Sequence, residues 1–471
     1  MTLESHRIEI DSVDFQISCR RFTVRATVTR DRQLPVVDEF VLRLLAILDR
    51  ISVTRMRYWF GFSAAEMETA LLDMGRRSLI EFDGNEAMLA PAGRDLFKSC
   101  GVDGVPHIVE VAPIVADVWF DLVSRTMVPR SRSRSSEYMV KVTEQPDARD
   151  IPEAFARRAF EDNFRDYARR IRRIPDPDAI NLYSISGVEG GAFGYQSLQA
   201  KLVLDLDRIG VRPTFSEAAD SASGFQKLAV AANDAWQVVT GPDLASGAMA
   251  EFERMTGDAR LFPLLQRIDE RSAWVEAFRL AEVSGSGYRP CVGATYLKGN
   301  IERLLLKFAE ARFEQPITEV IWARPSGSTW GRTTRVAEAL AEVRDALRNN
   351  NQADVKAVIA MPRSTIRSAR LSHKRIFDRG VLLPQGHLPS NIEIFLIPGI
   401  AAFVIIHVPV QQHSVPIGGL ITEPKRLSRI ADRLRIVHEK EVEELWSREV
   451  VDRDVTGAAS GDTASGGISA G

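Results

Sequence analysis

Apolar residues recur at helical spacing soon after Pro35 and open the most regular pattern of the chain. The stripe that predicts a first helix consists of Phe40, Val41, Leu44, Leu45 and Leu48. A second, short helix is predicted over 54–60, and Gly61 and Phe62 interrupt it. This stretch therefore predicts two helices, the second of which ends in a tight turn.

A third helix is predicted to begin at Ser63, which forms a capping box with Glu66. Its inward positions are Met67, Leu71 and Met74. Strands predicted over 79–82 and 87–89 then flank an Asp-Gly-Asn turn, and a further helix begins at Pro91. This order of elements, closed by the run LAPAGRDLF, resembles a bacterial winged-helix domain. The resemblance assigns residues 36–101 to that domain and implies contact with DNA.

The third helix departs from the basic reading helix that the resemblance implies. Its exposed positions include Glu66, Glu68, Thr69 and Asp73. Arg76 and Arg77 stand only in its last turn, where we expect them to meet phosphates if the domain contacts DNA. The alternative is a winged helix that serves dimerisation or the docking of a protein.

Composition narrows the class of protein without selecting a partner. The 471 residues are 45% hydrophobic and 26% charged, with a net charge of -2, which is typical of a globular protein of about three domains. Cys19, Cys100 and Cys291 are too dispersed for a disulfide framework or a thiolate metal site, and they fit a cytoplasmic protein. We find no secretory signal at the N-terminus, and the most apolar run, 392–410, is interrupted by charged residues and prolines, so no membrane contact is expected.

The regions on either side of the winged helix alternate apolar and polar residues. Residues 1–35 are predicted as an N-terminal hairpin, with strands over 7–17 and 20–28. Residues 102–260 are predicted as a basic α+β middle domain. The strands expected there lie over 107–111 and 115–122, and a second hairpin, with strands over 179–188 and 197–206, is expected around the turn EGGAFG at 189–194. Residues 451–471 form a tail of small residues that we expect to be disordered.

The middle domain holds the strongest local excess of positive charge. Residues 125–175 contain thirteen Arg or Lys against eight Asp or Glu. The arginines that we expect to bind phosphates are Arg130, Arg132 and Arg134 in a loop, and Arg158, Arg165, Arg169 and Arg172 along one stripe of a helix predicted over 153–174. The alternative is a solvated face that neutralises itself through i,i+4 pairs such as Arg158 with Asp162.

From about residue 270 helices alternate with very apolar strands, as in an α/β sandwich. Helices are predicted over 301–313, 333–349 and 367–379 and from Pro424, and strands over 319–323, 355–361, 380–383, 392–397, 401–408 and 418–421. This succession, over residues 261–450, resembles a phospholipase D-like domain. That family's full HxKxxxxD motif is missing here: His373 is followed directly by Lys374, and His387 has no lysine two residues on. The resemblance therefore implies a degenerate domain that dimerises or binds a ligand, without phosphodiesterase chemistry.

Histidines near the C-terminus keep an enzymatic alternative open. His387, His407 and His413 fall close together in sequence, and His407 and His413 flank VPVQQ, so they are candidates to act from one cleft as nucleophile and acid of a phosphodiesterase or nuclease. A metal site is not expected, because the stretch offers too few further ligands. No predicted strand is followed by a GxSxG elbow or by a GxGxxG loop.

The run SGSTWGRTT at 326–334 lies between a predicted strand and a predicted helix, where phosphate-binding loops occur. It imitates a Walker A loop poorly, because Ser326 and Arg332 stand where glycine and lysine are required. We expect at most an anion site made by Ser328, Thr329 and Arg332, and the alternative is a surface turn.

The sequence thus predicts a multidomain α+β protein: a winged helix, an α+β middle region and an α/β sandwich. The expected function is nucleic-acid binding without catalysis or cofactor, with DNA and either a second copy or another protein as partners. The layout resembles ligand-responsive winged-helix regulators and, in architecture, accessory proteins of bacterial antiphage systems. A phosphodiester hydrolase and a protein-docking scaffold are the alternatives.

Overall fold

Two very long strands organise the N-terminal half of the protein. A computed structural model describes residues 7–98, 107–128, 136–144, 148–216, 224–259, 261–280, 287–310, 316–350 and 354–448. Strand β1 runs over Arg7–Gln33 and pairs antiparallel with β8, Ile180–Asp205. The predicted hairpins over 1–35 and around 189–194 are therefore wrong, since each is one continuous strand.

The expected turns are bulges in these strands. The register of β1 on β8 shifts between Arg20 and Phe22 on one side and between Phe193 and Gly190 on the other. A bulge places extra residues in a strand without reversing it, and its polar or glycine-rich sequence resembles that of a turn. Arg20 is held there because its guanidinium donates to the carbonyls of Arg149 and Ile151.

A helical unit is inserted between β1 and the next long strand, β5, His107–Asp121. Its elements are α1 Val36–Leu48, β2 Arg50–Ser52, α2 Val53–Phe60, α3 Ala64–Arg76, β3 Ile80–Asp83, β4 Glu86–Leu89 and α4 Pro91–Lys98. The strands form an antiparallel sheet in the order β2-β4-β3. Gln33 faces His107 in the β1/β5 register, so the unit projects from the end of a two-stranded ribbon. We call it the helix-turn-helix unit.

The first sheet has the order β6-β5-β1-β8-β9, with β7 beside β1. The shorter strands are β6 Met127–Val128, β7 Val140–Lys141 and β9 Gly210–Thr214. The two strands predicted over 107–111 and 115–122 are one strand, β5, which continues through Pro113. At Pro113, β5 pairs with β1 on one side and with no described strand on the other. A proline is tolerated at such an edge, since its missing N–H removes no ladder bond.

The helix predicted over 153–174 is broken. Helix α5 spans Glu153–Asp162, a single turn, α6, spans Phe164–Asp166, and a π-helical turn covers Tyr167–Ile171. Asn163 interrupts α5 with φ -117 and donates from its side chain to the carbonyl of Ala159. These segments pack on the strands through Phe160, Phe164 and Tyr167.

The C-terminal half holds an eight-stranded mixed sheet in the order β10-β16-β15-β14-β11-β12-β13-β17, in which β11, β12 and β13 are parallel. Its strands are β10 Tyr288–Val292, β11 Glu319–Ala323, β12 Lys356–Met361, β13 Arg379–Leu382, β14 Ile392–Ile397, β15 Ala401–Val410, β16 His413–Ile421 and β17 Glu443–Ser447. The remaining helices are α7 Phe225–Gln237, α8 Ala248–Thr256, α9 Phe262–Gln266, α10 Arg271–Leu280, α11 Lys298–Glu310, α12 Arg335–Asn349 and α13 Pro424–Leu434.

Each face of this sheet has its own core. Helices α11 and α12 cover one face through residues such as Phe308 and Val343. The other face packs against α7, α8 and α13, and also against β1 and β8 through Phe15 and Leu204. One apolar core therefore crosses residue 260, where the sequence predicts a domain boundary.

The helix predicted over 367–379 is also wrong. Only a 3-10 turn, Arg367–Ala369, forms there. The guanidinium of Arg370 donates to the carbonyls of Thr365 and Arg363, and the amide of Ala357 in β12 donates to the Asp378 carboxylate. Within the segment, backbone amides donate in short turns in place of the helical ladder, as Arg370 does to Arg367 and Lys374 does to Leu371.

Candidate functional site

The helix-turn-helix unit is fixed by local signals that the sequence carries. Gly61 has φ 68 and ends α2, and Ser63 accepts from the amide of Glu66 while the Glu66 carboxylate accepts from the amide of Ser63. This capping box lowers the pKa of Glu66 through the hydrogen bonds with Ser63. A carboxylate therefore already occupies the amino end of α3, where a phosphate would otherwise bind.

The core of the unit matches the predicted third helix and only part of the predicted first. Met67, Leu71 and Met74 are buried as expected. In α1, however, Phe40 is 53% exposed and Leu48 41% exposed, whereas Leu42 is buried. The buried stripe of α1 is thus rotated from the one that spacing predicts.

Arg76 and Arg77 behave differently. Arg76 is exposed and forms no ion pair with any described residue. Arg77 pairs with the buried carboxylate of Asp38 and, at 2.6 Å, with Asp73. Arg77 consequently links α3 to α1, and the carboxylates of Asp38 and Asp73 largely neutralise its charge.

Helix α2 exposes basic and aromatic side chains that sequence reasoning missed. Tyr58 is 83% exposed and Trp59 50% exposed, and the guanidinium of Arg55 lies 5.4 Å from the centre of the Trp59 ring. Arg57 is exposed on the same helix. Neither arginine pairs with a carboxylate of the described residues. The signal was available, since two arginines and two aromatics within five residues of a predicted helix are too many to bury.

The arginines of the middle domain are exposed, but on a kinked backbone. Arg158, Arg165 and Arg172 form no ion pair with any described residue, whereas Arg169 lies 2.9 Å from Asp178. The expected i,i+4 pair between Arg158 and Asp162 does not form. Arg130, Arg132 and Arg134 lie outside the described residues.

The loop at 326–334 is held by the protein's own groups. The Ser328 hydroxyl donates to the carbonyl of Thr240, and the Arg332 guanidinium donates to the carbonyls of Ser328 and Tyr138. Thr329 is buried. The amide of Thr334, at the start of α12, donates to the Asp14 carboxylate. The position expected for a bound anion is thus filled by Asp14 of β1.

The structure separates the histidines that the sequence brings together. His407 and His413 lie on β15 and β16, where Val410 faces His413 across the ladder. Because side chains alternate along a strand, His407 points to one face of the sheet and His413 to the other. His413 stacks on Trp236 at 4.9 Å, and its pKa is lowered by burial. The interpretation that these two act from one cleft is wrong.

The other two rings are each held by a backbone carbonyl. Nε2 of His387 lies 2.7 Å from the carbonyl of Arg433, and Nε2 of His373 lies 3.0 Å from that of Gly331. His373 lies in a turn, not in the helix that the sequence predicts, and burial lowers its pKa to about 3, so its ring is neutral. No two of the four histidines share a hydrogen bond within the described structure.

His407 instead belongs to a buried hydrogen-bonded network. Its Nε2 lies 2.8 Å from Oε2 of Glu393, and the indole of Trp322 donates to Oε1 of the same carboxylate at 2.8 Å. Burial acts to raise the pKa of Glu393, but the hydrogen bonds from His407 and Trp322 outweigh it and lower the pKa. Ser414 lies 3.4 Å from Nδ1 of His407.

A second buried group adjoins this network. The Tyr296 hydroxyl donates to Asp11 at 3.0 Å, and burial raises the pKa of Asp11 to about 8. Arg324 donates to the carbonyls of Pro325 and Gly327 and lies 4.9 Å from the Trp330 ring, and burial lowers its pKa to about 9. Asp11 and Tyr296 satisfy each other and Arg324 is satisfied by backbone carbonyls, which is the arrangement of a polar core that fixes a fold.

The described residues lack two kinds of feature. They contain no group of three histidine, cysteine, aspartate or glutamate side chains placed to hold a metal ion. No helix among them has the length and apolarity needed to cross a membrane.

Comparison with known proteins yields little. No protein-family model matches this sequence, and no curated protein matches it. Among solved structures, the chain is similar to TrmBL2, an archaeal chromatin protein whose structure is described as showing a novel mode of DNA binding. The identity is 11%, the TM-score is 0.22, and the match covers 39% of this chain and 64% of that one, slightly less than two thirds of its length. A match at this TM-score carries no inference about fold or function.

Proposed function

We propose that this protein binds DNA without catalysing a reaction on it, and that the helix-turn-helix unit, acting as a winged-helix domain, makes the primary contact. The exposed side chains of α2 carry this proposal. Arg55 stands beside Trp59, whereas Arg57 projects about 200° further round the helix and lines the groove toward α3. No described carboxylate pairs with either guanidinium. Exposed unpaired cations next to aromatic rings suit a phosphate backbone.

In this arrangement α2 lies along the phosphates and the first turns of α3 enter the major groove. Ala64, Ala65 and Thr69 are exposed there, together with the carboxylates of Glu66 and Glu68. Methyl groups of alanine and threonine contact the thymine methyl, so sequence reading through apolar contact fits this helix better than bidentate arginine contacts. Arg76 supplies a further phosphate contact at the far end of α3.

The arginines of the middle domain extend the proposed surface. Arg158, Arg165 and Arg172 are exposed, and Arg169 forms an ion pair with Asp178. Arg130, Arg132 and Arg134 belong to the proposal on their sequence pattern alone.

The C-terminal sheet has the dimerisation or ligand-binding role in this proposal. A cavity of about 580 Å³ lies at the carboxyl ends of β12 and β13 and is lined in part by Arg363, Ser364 and Gln385. Its position and lining suit a small polar ligand.

The test is fluorescence anisotropy of a labelled duplex at about 50 and about 200 mM salt. The double variant Arg55→Ala/Arg57→Ala is expected to weaken binding and to reduce the slope of log affinity against log salt by about two. The matched control, Arg267→Ala/Arg271→Ala, removes two exposed arginines near α10 and is expected to leave the slope within about half a unit of the native one. Absence of duplex binding at the lower salt would overturn the proposal.

A second candidate, protein docking, is favoured by one observation. An apolar groove of about 330 Å³ lies between α2, α3 and β3, lined in part by Val53, Leu71, Leu72 and Phe82. Leu72 is 51% exposed and Phe82 47% exposed. The test is Leu72→Ser, followed by sedimentation and by duplex binding. If this variant binds duplex as the native protein does but no longer self-associates or binds a partner, protein docking becomes the favoured function of this unit.

The phosphodiesterase alternative has a direct test as well. His387→Ala, His407→Gln and His413→Ala are expected to leave DNA affinity unchanged at a temperature where each variant is folded. Hydrolysis of a phosphodiester by the native protein, lost on changing one of these histidines, would restore the enzymatic interpretation.

A further inference from the structure

We propose that a groove on the β1–β5–β8 sheet is a separate site that takes single-stranded nucleic acid by stacking its bases. The groove has a volume of about 660 Å³, within the range of about 300–1,000 Å³ that ligand sites occupy. Its walls include Arg21, Trp119, Tyr167, Arg172 and Phe193. This inference deepens the proposed function and rests on it, because it names a second class of nucleic acid for the same protein.

The sheet itself puts these groups together. Arg21 faces Trp119 in the register of β1 and β5, so both side chains belong to the same face. The alternate residues Phe22, Val118 and Phe120 are buried in the core on the opposite face. The groove therefore lies between the face of β1 and β5 that carries Arg21 and Trp119 and the segment that holds Tyr167 and Arg172.

The glycine-rich run at 189–194 shapes the groove. It forms the bulge of β8 opposite Arg20 and Arg21. A Cβ on Gly191 would lie 2.9 Å from Nε of Arg21, and one on Gly190 would lie 2.8 Å from Nη2 of Arg20. Glycine at these positions leaves room for two guanidiniums beside the strand and brings Phe193 to the surface, where it is 49% exposed.

The chemistry of the lining fits a nucleotide chain. Phe193 and Trp119 offer ring faces for stacking, which accepts any base and needs that base to be unpaired. Arg172 forms no ion pair with a described residue, and the Arg21 side chain is 39% exposed with Nη1 only 3.8 Å from Asp117, so both guanidiniums have donors left for a phosphate. A duplex keeps its bases stacked inside, and a concave aromatic groove excludes it.

One group in the groove opposes this role. The Asp117 carboxylate accepts from the Thr23 hydroxyl at 2.8 Å and lies 3.8 Å from Nη1 of Arg21. It offsets one of the two positive charges of the lining. Its removal is therefore expected to strengthen binding of a polyanion, a gain that general damage to the protein would not produce.

The test uses the full-length protein and fluorescence anisotropy with a labelled thymidine 12-mer and an abasic 12-mer of equal charge. Phe193→Ala is expected to weaken binding of the thymidine strand about tenfold or more and to leave the duplex affinity unchanged. Tyr183→Ala is the matched control, because Tyr183 is 73% exposed on the same strand and outside the groove. Asp117→Asn is expected to strengthen binding several-fold.

Arg172→Ala is expected to weaken both 12-mers, and Arg348→Ala, which removes one exposed positive charge elsewhere, is expected to weaken neither. Equal affinity for the thymidine and abasic strands, or an unchanged thymidine affinity in Phe193→Ala, would overturn the stacking site. Either result leaves duplex binding through α2 untouched. Conversely, if the native protein binds the thymidine strand but not the duplex, the proposed function is overturned and the proposal for the groove remains.

Discussion

The amide of Thr334 donates to a carboxylate oxygen of Asp14 at 2.8 Å across a sequence separation of 320 residues. Asp14 also donates its amide to the carbonyl of Arg332 at 2.7 Å. Thr334 immediately precedes α12, and Asp14 lies in β1, so the N-terminal strand caps a helix of the C-terminal sheet. This contact joins the two halves of the chain into one packed body.

Asp14→Ala is expected to lower the free energy of unfolding by about 1 kcal/mol, within the range of about 0.5–2 found for lost helix caps. Urea unfolding followed by circular dichroism measures it. The control is Asp178→Ala, which breaks an exposed pair with Arg169 and is expected to cost at most about 0.5 kcal/mol. Equal effects of the two variants would contradict the capping role.

His407→Ala is expected to destabilise the protein by about 3–5 kcal/mol, because it leaves Oε2 of the buried Glu393 carboxylate without its partner, while the Trp322 indole still donates to Oε1. The double variant Glu393→Gln/His407→Gln removes the charge together with the partner and is expected to be more stable than His407→Ala. Thermal unfolding of the native protein and of the two variants measures these stabilities. A destabilisation well below about 3 kcal/mol in His407→Ala would mean that the Glu393 carboxylate is not fully desolvated.

Asp11 makes stability fall as the pH rises. Burial raises its pKa from 3.8 to about 8, while the unfolded side chain ionises near its ordinary value. Between about pH 4 and pH 8 the native state therefore binds the extra proton, and the free energy of unfolding decreases with pH across this window. Asp11→Asn does not titrate. Its stability relative to the native protein is expected to increase from pH 5 to pH 8, and parallel pH profiles of the two proteins would contradict the assignment.

Two helical glycines of the helix-turn-helix unit are expected to respond with opposite signs to alanine. In α4, a Cβ on Gly93 would lie 2.1 Å from the carbonyl oxygen of Leu79, so Gly93→Ala forces the backbone apart and destabilises the unit. In α3, the nearest atom to a Cβ on Gly75 is 3.7 Å away, so Gly75→Ala gains the helical preference of alanine, about 0.5–1 kcal/mol. Hydrogen exchange of amides within 36–98 measures both, and a stabilising Gly93→Ala would disprove the close approach.

Local signals predicted those elements whose ends are marked in the sequence. The capping box at Ser63, the glycine ending α2 and the strands Glu319–Ala323 and Ile392–Ile397 all lie where the sequence indicates. The residues of the candidate site were predicted less well from the sequence. Arg76 was identified and is exposed, but Arg77 pairs with Asp38, and the exposed arginines of α2 were missed because the winged-helix resemblance points to α3 as the reading helix.

The sequence by itself determined the polar and apolar alternation of each segment, because side-chain periodicity depends on residues only a few positions apart. Tertiary structure decided which interruptions are turns and which are bulges, since a turn and a bulge share glycine and polar residues and differ in the strand that lies opposite. It also decided that Asp14 fills the amino end of α12 and that His407 and His413 face opposite sides of a sheet. Those relationships depend on which distant strands pair and in what register, and no local pattern encodes that choice.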